Sequence, residues 1–142
     1  MEIVVLVGIP GSGKSTLARS KYPHHRRANL DTLRSRTRED QEISSALMNG
    51  QDIIIDNTNT TKRSRRKYIE VAKALGLKVR AVYLKCPLDI GLAQNSKRNG
   101  RERVPDKVVT MYHRILQEPA LEEGFDSIEI VEVGKPQLDG DQ

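Results

Sequence analysis

The feature that most constrains this chain is an uninterrupted apolar run that leads directly into a glycine-rich loop. Residues 3–7 read IVVLV, and residues 8–15 read GIPGSGKS. β-Branched residues without polar alternation are typical of a strand buried on both faces, as in parallel sheets covered by helices on both sides. The segment therefore predicts an interior strand of an α/β domain, with a tight turn at its carboxyl end.

Apolar runs and helical patterns alternate along the rest of the chain. Further strands are predicted at residues 26–30, 53–55, 79–84 and 127–133. Helical spacing of apolar residues recurs around residues 43–47, 68–75 and 108–116. Strands that alternate with helices predict a parallel sheet with helices on both faces. We expect four or five parallel strands, with the strand before the glycine-rich loop at the centre.

The length of 142 residues fits one domain. We expect this domain over residues 1–133, followed by a polar, flexible tail over residues 134–142. A single cysteine, Cys86, excludes an intramolecular disulfide and a four-thiolate zinc site. No apolar run approaches the ~20 residues that a membrane span requires, and the first apolar run lacks the basic flank of a signal peptide. We therefore expect a soluble, cytoplasmic domain with no membrane partner.

Basic residues are concentrated in two places. The chain carries 24 Lys and Arg against 19 Asp and Glu, a formal net charge of +5. Residues 62–67 contain five basic residues, and residues 97–103 contain four. Such clusters favour an anionic partner such as a nucleotide or nucleic acid, although each is also compatible with a solvated helix face. A single Phe and no Trp argue against a platform for stacking single-stranded bases.

The glycine-rich loop matches the phosphate-binding pattern G-x-x-x-x-G-K-[ST], between a predicted strand and a helix predicted over residues 15–21. Its glycines allow consecutive backbone N–H groups to point at phosphate oxygens. Lys14 then reaches the β- and γ-phosphates, and the Ser15 hydroxyl binds Mg²⁺. We predict binding of ATP or another NTP with Mg²⁺, and a Lys14 side chain that faces solvent without nucleotide. The candidate nucleotide-binding residues are Gly8, Pro10, Gly11, Ser12, Gly13, Lys14, Ser15 and Thr16.

Two acidic residues that follow predicted strands are candidates for the acceptor side of a phosphotransferase. Asp31 follows the second strand and precedes Arg34 by three residues, and Asp56 directly follows the third strand. Ligands bind at this carboxyl edge of a parallel sheet. Asp31 could accept a hydroxyl proton while Arg34 binds an acceptor phosphate, or the two could form an ordinary ion pair on one helix turn. Asp56, Thr58 and Asn59 are candidate acceptor contacts, with a capping turn or, for Asp56, a metal-side role as alternatives.

A third candidate element spans residues 95–105, which read NSKRNGRERVP. A basic helix end that breaks into a glycine-containing loop before the next helix is typical of a mobile lid over phosphates. An arginine of such a lid neutralises charge on the transferred group. The candidates are Arg98, Arg101 and Arg103. A solvated loop is the alternative interpretation.

Together these motifs resemble the phage-type polynucleotide 5′-hydroxyl kinases, the P-loop kinase modules of nucleic-acid end-healing enzymes. The shared segments are residues 8–16, Asp31 with Arg34, residues 56–59, residues 95–98 and residues 104–105. The resemblance covers residues 1–116 and implies transfer of the γ-phosphate of ATP to the 5′-hydroxyl end of DNA or RNA. It also implies that Lys14 and Ser15 bind ATP and Mg²⁺, that Asp31 is the general base, that Arg34 contacts the acceptor phosphate and that Arg98 contacts the donor phosphates.

The chain departs from the family pattern in one respect. A second lid arginine often lies one turn before the position of Arg98, and here that position is Gln94. Arg101 or Arg103 could substitute for it, and the sequence does not decide between them. No Asp-x-Asp-Gly-Thr phosphatase motif is present in these residues, so we expect no 3′-phosphatase activity from them.

Two other functions remain open from the residues alone. A P-loop kinase for a small metabolite, nucleoside or sugar nucleotide would share the phosphate loop and the alternating strands and helices. A nucleotide-dependent switch would need a second loop ordered by the γ-phosphate, and the sequence offers no obvious segment for it. The preference for DNA or RNA, the preferred NTP and the oligomeric state are not encoded in these motifs, because phosphate contacts carry little sequence information.

Overall fold

The computed structural model describes residues 1–134, apart from the side chains of Asp31, Thr32 and Arg101. Within this range five parallel strands form one sheet in the order β2-β3-β1-β4-β5. The strands are β1 (Glu2–Val7), β2 (Arg26–Ala28), β3 (Ile53–Ile55), β4 (Lys78–Lys85) and β5 (Ser127–Glu132). The predicted parallel sheet with a central first strand is confirmed. All but the first residue of the expected tail lies outside the described residues.

Six α-helices connect the strands of the described part of the chain. They are α1 (Lys14–Lys21), α2 (Leu30–Leu33), α3 (Arg36–Met48), α4 (Lys62–Leu75), α5 (Leu88–Ser96) and α6 (Asp106–Ile115). Two short 3-10 turns cover Gly100–Glu102 and Leu121–Glu123. None of the helices in residues 1–134 has the length and apolar character needed to cross a membrane.

The central strand is buried because helices cover both of its faces. Val5 and Val7 pack on one face in a cluster that includes residues of α3 and α4. Val4 and Leu6 pack on the opposite face, in a cluster that includes Ala18 of α1. These side chains are completely buried, as the uninterrupted apolar run predicts.

Helix boundaries follow local chemistry. The α4 helix begins with a capping box, in which Thr61 Oγ1 accepts from the backbone N–H of Ser64 and Ser64 Oγ accepts from that of Thr61. It ends at Gly76, whose φ of 69° is the left-handed conformation that suits glycine. The second strand is shorter than predicted: it ends at Ala28, because Leu30 already begins α2.

The sheet order determines where the candidate residues meet. Since β3 and β1 are neighbours and β2 lies next to β3, their carboxyl ends form one continuous edge. Residues 8–15 follow β1, Asp56 follows β3, and the segment from Asn29 follows β2. The predicted donor and acceptor elements therefore share one side of the sheet.

Candidate active site

The phosphate loop is tightly packed against the helix that leads into the lid. Gly11 and Gly13 have φ values of 86° and 97°, in the left-handed region. A Cβ atom on Gly11 would lie 2.3 Å from the carbonyl oxygen of Gly91 in α5. The backbone N–H of Gly8 also donates to the Thr58 carbonyl across 3.0 Å. Glycine is required at position 11 for both its conformation and its close contact with α5.

Lys14 does not face solvent, and our expectation on this point is wrong. Its side chain folds back into the loop and its residue is only 8% exposed. Nζ donates to the carbonyl oxygens of Gly8 and Ile9 at 3.0 and 2.9 Å, and lies 3.5 Å from Ser12 Oγ. The curved loop presents several acceptors to one ammonium group, and this satisfies the buried charge. The Lys14 ammonium group thus lies inside the loop that the sequence motif predicts to bind phosphates.

Ser15 and Asp56 form a second cluster with Arg27, which the sequence analysis did not identify. Ser15 Oγ donates to Asp56 Oδ2 across 2.9 Å. Arg27 Nε lies 2.6 Å from the same carboxylate oxygen, and Arg27 Nη2 donates to Ser15 Oγ at 3.0 Å. The Asp56 side chain is 1% exposed and that of Arg27 is 26% exposed. The sequence signal for Arg27 was a charged residue inside the strand predicted over residues 26–30.

The chemistry of this cluster fits a magnesium ion. A serine hydroxyl and a carboxylate are hard oxygen ligands, the kind that Mg²⁺ prefers, and phosphate oxygens complete such sites in P-loop proteins. Ser15 and Asp56 are close enough to serve one ion. The structure therefore places Asp56 beside Ser15, which favours the metal-side alternative over an acceptor contact.

The predicted acceptor side is organised by amide side chains that follow β2 and β3. Asn29 Nδ2 donates to the Asp56 carbonyl at 2.7 Å, and Asn57 Oδ1 accepts from the Leu30 backbone N–H at 2.9 Å. These bonds fix the start of α2, the helix that contains Asp31. The Asp31 side chain lies outside the described residues, so its predicted role as general base stays a prediction.

Buried residues beneath α2 hold this arrangement in place. Glu39 is fully buried and accepts from Asn57 Nδ2 at 2.8 Å and from the Tyr68 hydroxyl at 2.9 Å. Burial and the neighbouring Glu39 carboxylate raise the pKa of the Tyr68 hydroxyl, which therefore stays a donor at neutral pH. Neither residue stands out in the sequence, because the network joins α3 and α4 only after folding.

The remaining acceptor candidates fall in different surroundings. Arg34 is exposed, directly follows α2 and has a φ of 68°, so it lies just past the end of this helix rather than on one helical turn with Asp31. Thr58 lines the cleft described below. Asn59 is 4% exposed and its amide donates to the Leu6 carbonyl at 2.8 Å. Its burial gives Asn59 a place in the scaffold, which does not favour the predicted acceptor contact.

Arg98 reaches the site from the predicted lid. At the base of this lid, Asn95 is fully buried and pairs with Val104 in both directions: its Nδ2 donates to the Val104 carbonyl at 2.7 Å, and its Oδ1 accepts from the Val104 N–H at 3.1 Å. Arg98 follows one turn later and is half-buried. Arg103 is exposed, and the Arg101 side chain lies outside the described residues. Of the two lid candidates whose side chains the structure describes, Arg98 lines the site and Arg103 does not.

A cleft of about 170 Å³ joins these groups. Its lining includes Lys14, Ser15, Asn29, Asp56, Thr58 and Arg98. The phosphate loop and Arg98, the predicted donor-binding elements, form one side, and the turn after β3 and the start of α2 form the opposite side. This arrangement can hold phosphate groups of one ligand beside a second ligand at the α2 side.

Comparisons with known proteins agree with this geometry. The profile of a family described as AAA domain matches residues 40–119. The chain is 33% identical over 135 residues to the bifunctional polynucleotide phosphatase/kinase of Schizosaccharomyces pombe, covering 92% of this chain and 33% of that protein. It is 25% identical over 144 residues to the L-seryl-tRNA(Sec) kinase of Methanococcus maripaludis, covering 87% of this chain and 56% of that protein. The chain thus spans a third and just over half of these two relatives.

Solved structures give the same fold. An unliganded sugar kinase from Janibacter sp. HTCC2649 superposes with a TM-score of 0.71 at 19% sequence identity, over 96% of this chain and 87% of that chain. At this identity the likeness concerns the fold alone.

Proposed function

The chain belongs to the AAA domain family, and from this premise we propose that it is a polynucleotide 5′-hydroxyl kinase. It transfers the γ-phosphate of ATP or another NTP to the 5′-hydroxyl end of DNA or RNA. The observation that carries the proposal is the single cleft in which Lys14, Ser15 and Arg98 lie opposite the start of α2. The resemblance of the acceptor motif, Asp31 with Arg34, and the identity to a polynucleotide phosphatase/kinase support the choice of acceptor.

The donor side binds and neutralises the triphosphate. Backbone N–H groups of the phosphate loop and the N-terminus of α1 point at the phosphates, and Lys14 exchanges its loop carbonyls for phosphate oxygens. Arg98 stabilises the charge that spreads over the transferred group. Ser15 and Asp56 would hold Mg²⁺, which supplies further neutralisation of the phosphates when bound.

The acceptor side positions a hydroxyl for in-line attack. Asp31 accepts the hydroxyl proton as the acceptor oxygen bonds to the γ-phosphorus and the bond to the bridging oxygen breaks, which releases the nucleoside diphosphate. Arg34 binds the phosphate beside the reactive nucleoside. A 5′-hydroxyl end offers such a phosphate, whereas a free nucleoside does not.

The test is transfer of labelled γ-phosphate to a panel of acceptors: 5′-OH DNA, 5′-OH RNA, 3′-nucleotides, nucleosides, small sugars and a seryl-tRNA. We expect label on the 5′-OH oligonucleotides, a smaller amount on 3′-nucleotides and little on nucleosides. The variant Lys14→Met serves as the control for contaminating kinases. Label confined to nucleosides or sugars would replace this proposal with a metabolite kinase, and label on seryl-tRNA alone would point to a kinase of an aminoacylated RNA.

A further inference from the structure

The Arg27 guanidinium contacts both of the oxygen ligands that suit a metal. It donates to Asp56 Oδ2 at 2.6 Å and to Ser15 Oγ at 3.0 Å, while Ser15 Oγ itself donates to the same Asp56 oxygen at 2.9 Å. Asp56 is 1% exposed, so its carboxylate has almost no contact with water. Within the described part of the chain, this contact is the only ion pair recorded for Asp56.

A buried carboxylate requires a cation close by. Transfer of an unpaired carboxylate into the interior is strongly unfavourable, and a charged hydrogen-bonded partner offsets much of that cost. Arg27 supplies this partner from the middle of β2, which lies at one side of the sheet. Arg27 therefore supplies positive charge at the same oxygens that a metal ion would contact.

We propose that Arg27 is a resident cation that Mg²⁺ must displace from Asp56 and Ser15, and that it thereby sets the metal affinity of the nucleotide complex. This inference rests on the proposed function, because it takes residues 8–15 as a site for a metal–nucleotide complex. Arg27 engages one of the lone pairs of Ser15 Oγ and one oxygen of Asp56. A second cation at the same oxygens would face the full charge of the guanidinium at short range.

The opposite interpretation is that Arg27 is a brace, which holds Asp56 in the orientation that the metal needs. The two interpretations predict opposite effects of removing the charge. Without a resident cation, the metal binds more tightly because it no longer competes. Without a brace, the metal binds more weakly because its ligand is misplaced.

The experiment measures the affinity of a non-hydrolysable ATP analogue with Mn²⁺ and with EDTA, in the absence of any acceptor. The dissociation constant measured with EDTA, divided by the one measured with Mn²⁺, gives the coupling between metal and nucleotide. A larger ratio means that the metal binds the nucleotide complex more tightly. We expect Arg27→Gln, which keeps hydrogen-bond donors but removes the charge, to increase this ratio by about tenfold or more. Arg27→Lys, which keeps the charge, should leave the ratio within a few-fold of wild type.

A matched control lies one residue away on the same strand. Arg26 pairs with Glu42 at 2.8 Å and with Gln51 at 3.1 Å, away from Asp56. Arg26→Gln removes the same charge from β2 and should leave the ratio unchanged. An unchanged or decreased ratio in Arg27→Gln would overturn the proposal and favour the brace.

A second measurement uses the wild-type protein, so that it does not depend on the folding of a variant. In a sample labelled with ¹⁵N-arginine, the Arg27 Nε–H resonance should shift when Mg²⁺ is added to the analogue complex and stay in place when the analogue is added with EDTA. The resonance is assigned from its absence in Arg27→Lys. A resonance that does not respond to Mg²⁺ would contradict displacement.

Failure of the inference differs from failure of the proposed function. If the wild-type protein binds no ATP analogue in either condition, the site is not a nucleotide site and both proposals fall. If the analogue binds and the acceptor panel is labelled, but Arg27→Gln does not tighten the metal, only the role of Arg27 is wrong.

Discussion

We expect Lys14 to combine a structural role with a catalytic one. Its ammonium group is buried against the carbonyl oxygens of Gly8 and Ile9. We expect Lys14→Met to lower kcat/KM for phosphoryl transfer by at least ~10²-fold, as for loss of a charge-stabilising donor, and to lower the free energy of unfolding by about 1–3 kcal/mol because buried carbonyls lose a charged donor. Steady-state kinetics and urea unfolding measure the two effects. Full activity in the variant would exclude the phosphate-loop role.

Asp31 and Arg34 are predicted to act in different steps. If Asp31 accepts the proton, Asp31→Asn should lower kcat by ~10²–10⁴-fold with little change in nucleotide affinity. If Arg34 binds the acceptor phosphate, Arg34→Ala should raise KM for a 5′-OH oligonucleotide much more than for a nucleoside. Kinetics with both acceptors separate the two roles. Normal turnover in Asp31→Asn, or equal losses for both acceptors in Arg34→Ala, would make the pair structural.

The sequence predicted which residues line this cleft better than it predicted where their side chains lie and what they contact. The phosphate-loop pattern specifies Lys14 and Ser15 because the spacing itself dictates the chemistry. It does not specify the folded-back side chain of Lys14, which depends on carbonyl groups that converge only when the loop curves. The role of Arg27 was not predicted because its partners, Ser15 and Asp56, lie 12 and 29 positions away along the chain.

Among the elements, the lid depends on one buried side chain at its base. Asn95 pairs with both backbone groups of Val104 and so joins the end of α5 to the segment before α6. Asn95→Ala leaves those partly buried backbone groups without their side-chain partners, which costs at most about 1–3 kcal/mol per group. Because Arg98 follows Asn95 by one turn, we also expect weaker nucleotide binding. Calorimetry with an ATP analogue and urea unfolding measure these effects.

The control for this prediction is Asn99→Ala. Asn99 lies in the same loop, is exposed, and makes no side-chain capping bond to the 3-10 turn that follows it. This variant should unfold like wild type and bind the analogue with unchanged affinity. Equal effects of the two substitutions would mean that the loop, rather than the Asn95 pairing, sets the position of Arg98.

The basic cluster at residues 62–67 is partly a scaffold feature. Arg65 is fully buried, forms a two-pronged ion pair with Glu123 at 2.9 and 2.8 Å, and donates to the Asn59 carbonyl at 2.8 Å. We expect Arg65→Met to destabilise the protein by about 3–5 kcal/mol, because Glu123 is left as an uncompensated charge. Arg66→Met, at the exposed neighbouring position, should change stability by less than ~0.5 kcal/mol. Similar unfolding midpoints for the two variants would contradict this assignment.

The sequence predicted the strands and helices more fully than the side-chain contacts between them. Apolar runs such as residues 3–7 and 53–55 identify interior strands, because only buried strands lack polar alternation. Local spacing likewise identifies α4 and its stop at Gly76. Charge runs carry no such information: a helix face is assigned to solvent, to a partner or to a buried ion pair only by the elements that pack against it, as Glu123 does for Arg65.

For the molecule as a whole, we expect the two ends of the parallel sheet, its carboxyl edge and its amino edge, to have separate functions. The carboxyl edge holds the cleft with Lys14 and Asp56. At the amino edge, Glu2 accepts from Arg80 Nε at 2.9 Å and lies 2.8 Å from His25 Nε2. Glu2 begins β1 and Arg80 lies on β4, so this pair joins two central strands at the end far from the site. Stability and catalysis should therefore respond to different residues at the two edges.

Acidification tests this separation through Glu2. The hydrogen bond from Arg80 lowers the pKa of Glu2 below its ordinary value of 4.5. A carboxyl group whose pKa is lower in the folded state stabilises the protein fully above its unfolded-state pKa, and this contribution is lost as the pH falls through the folded-state pKa. In wild type, the free energy of unfolding should thus decrease as the pH falls below about 4.5, partly because Glu2 takes up a proton.

In Glu2→Gln this part of the stability loss at low pH, the acid limb of the stability curve, should disappear, and stability at pH 7 should already be reduced. Glu70→Gln, at an exposed position of α4, should retain the wild-type limb. Because the cleft lies at the other edge, phosphoryl transfer by folded Glu2→Gln at pH 7 should match wild type. An acid limb as steep as that of wild type in Glu2→Gln would exclude the Glu2–Arg80 pair as its cause, and a loss of kcat in the folded variant would show that the two edges are coupled.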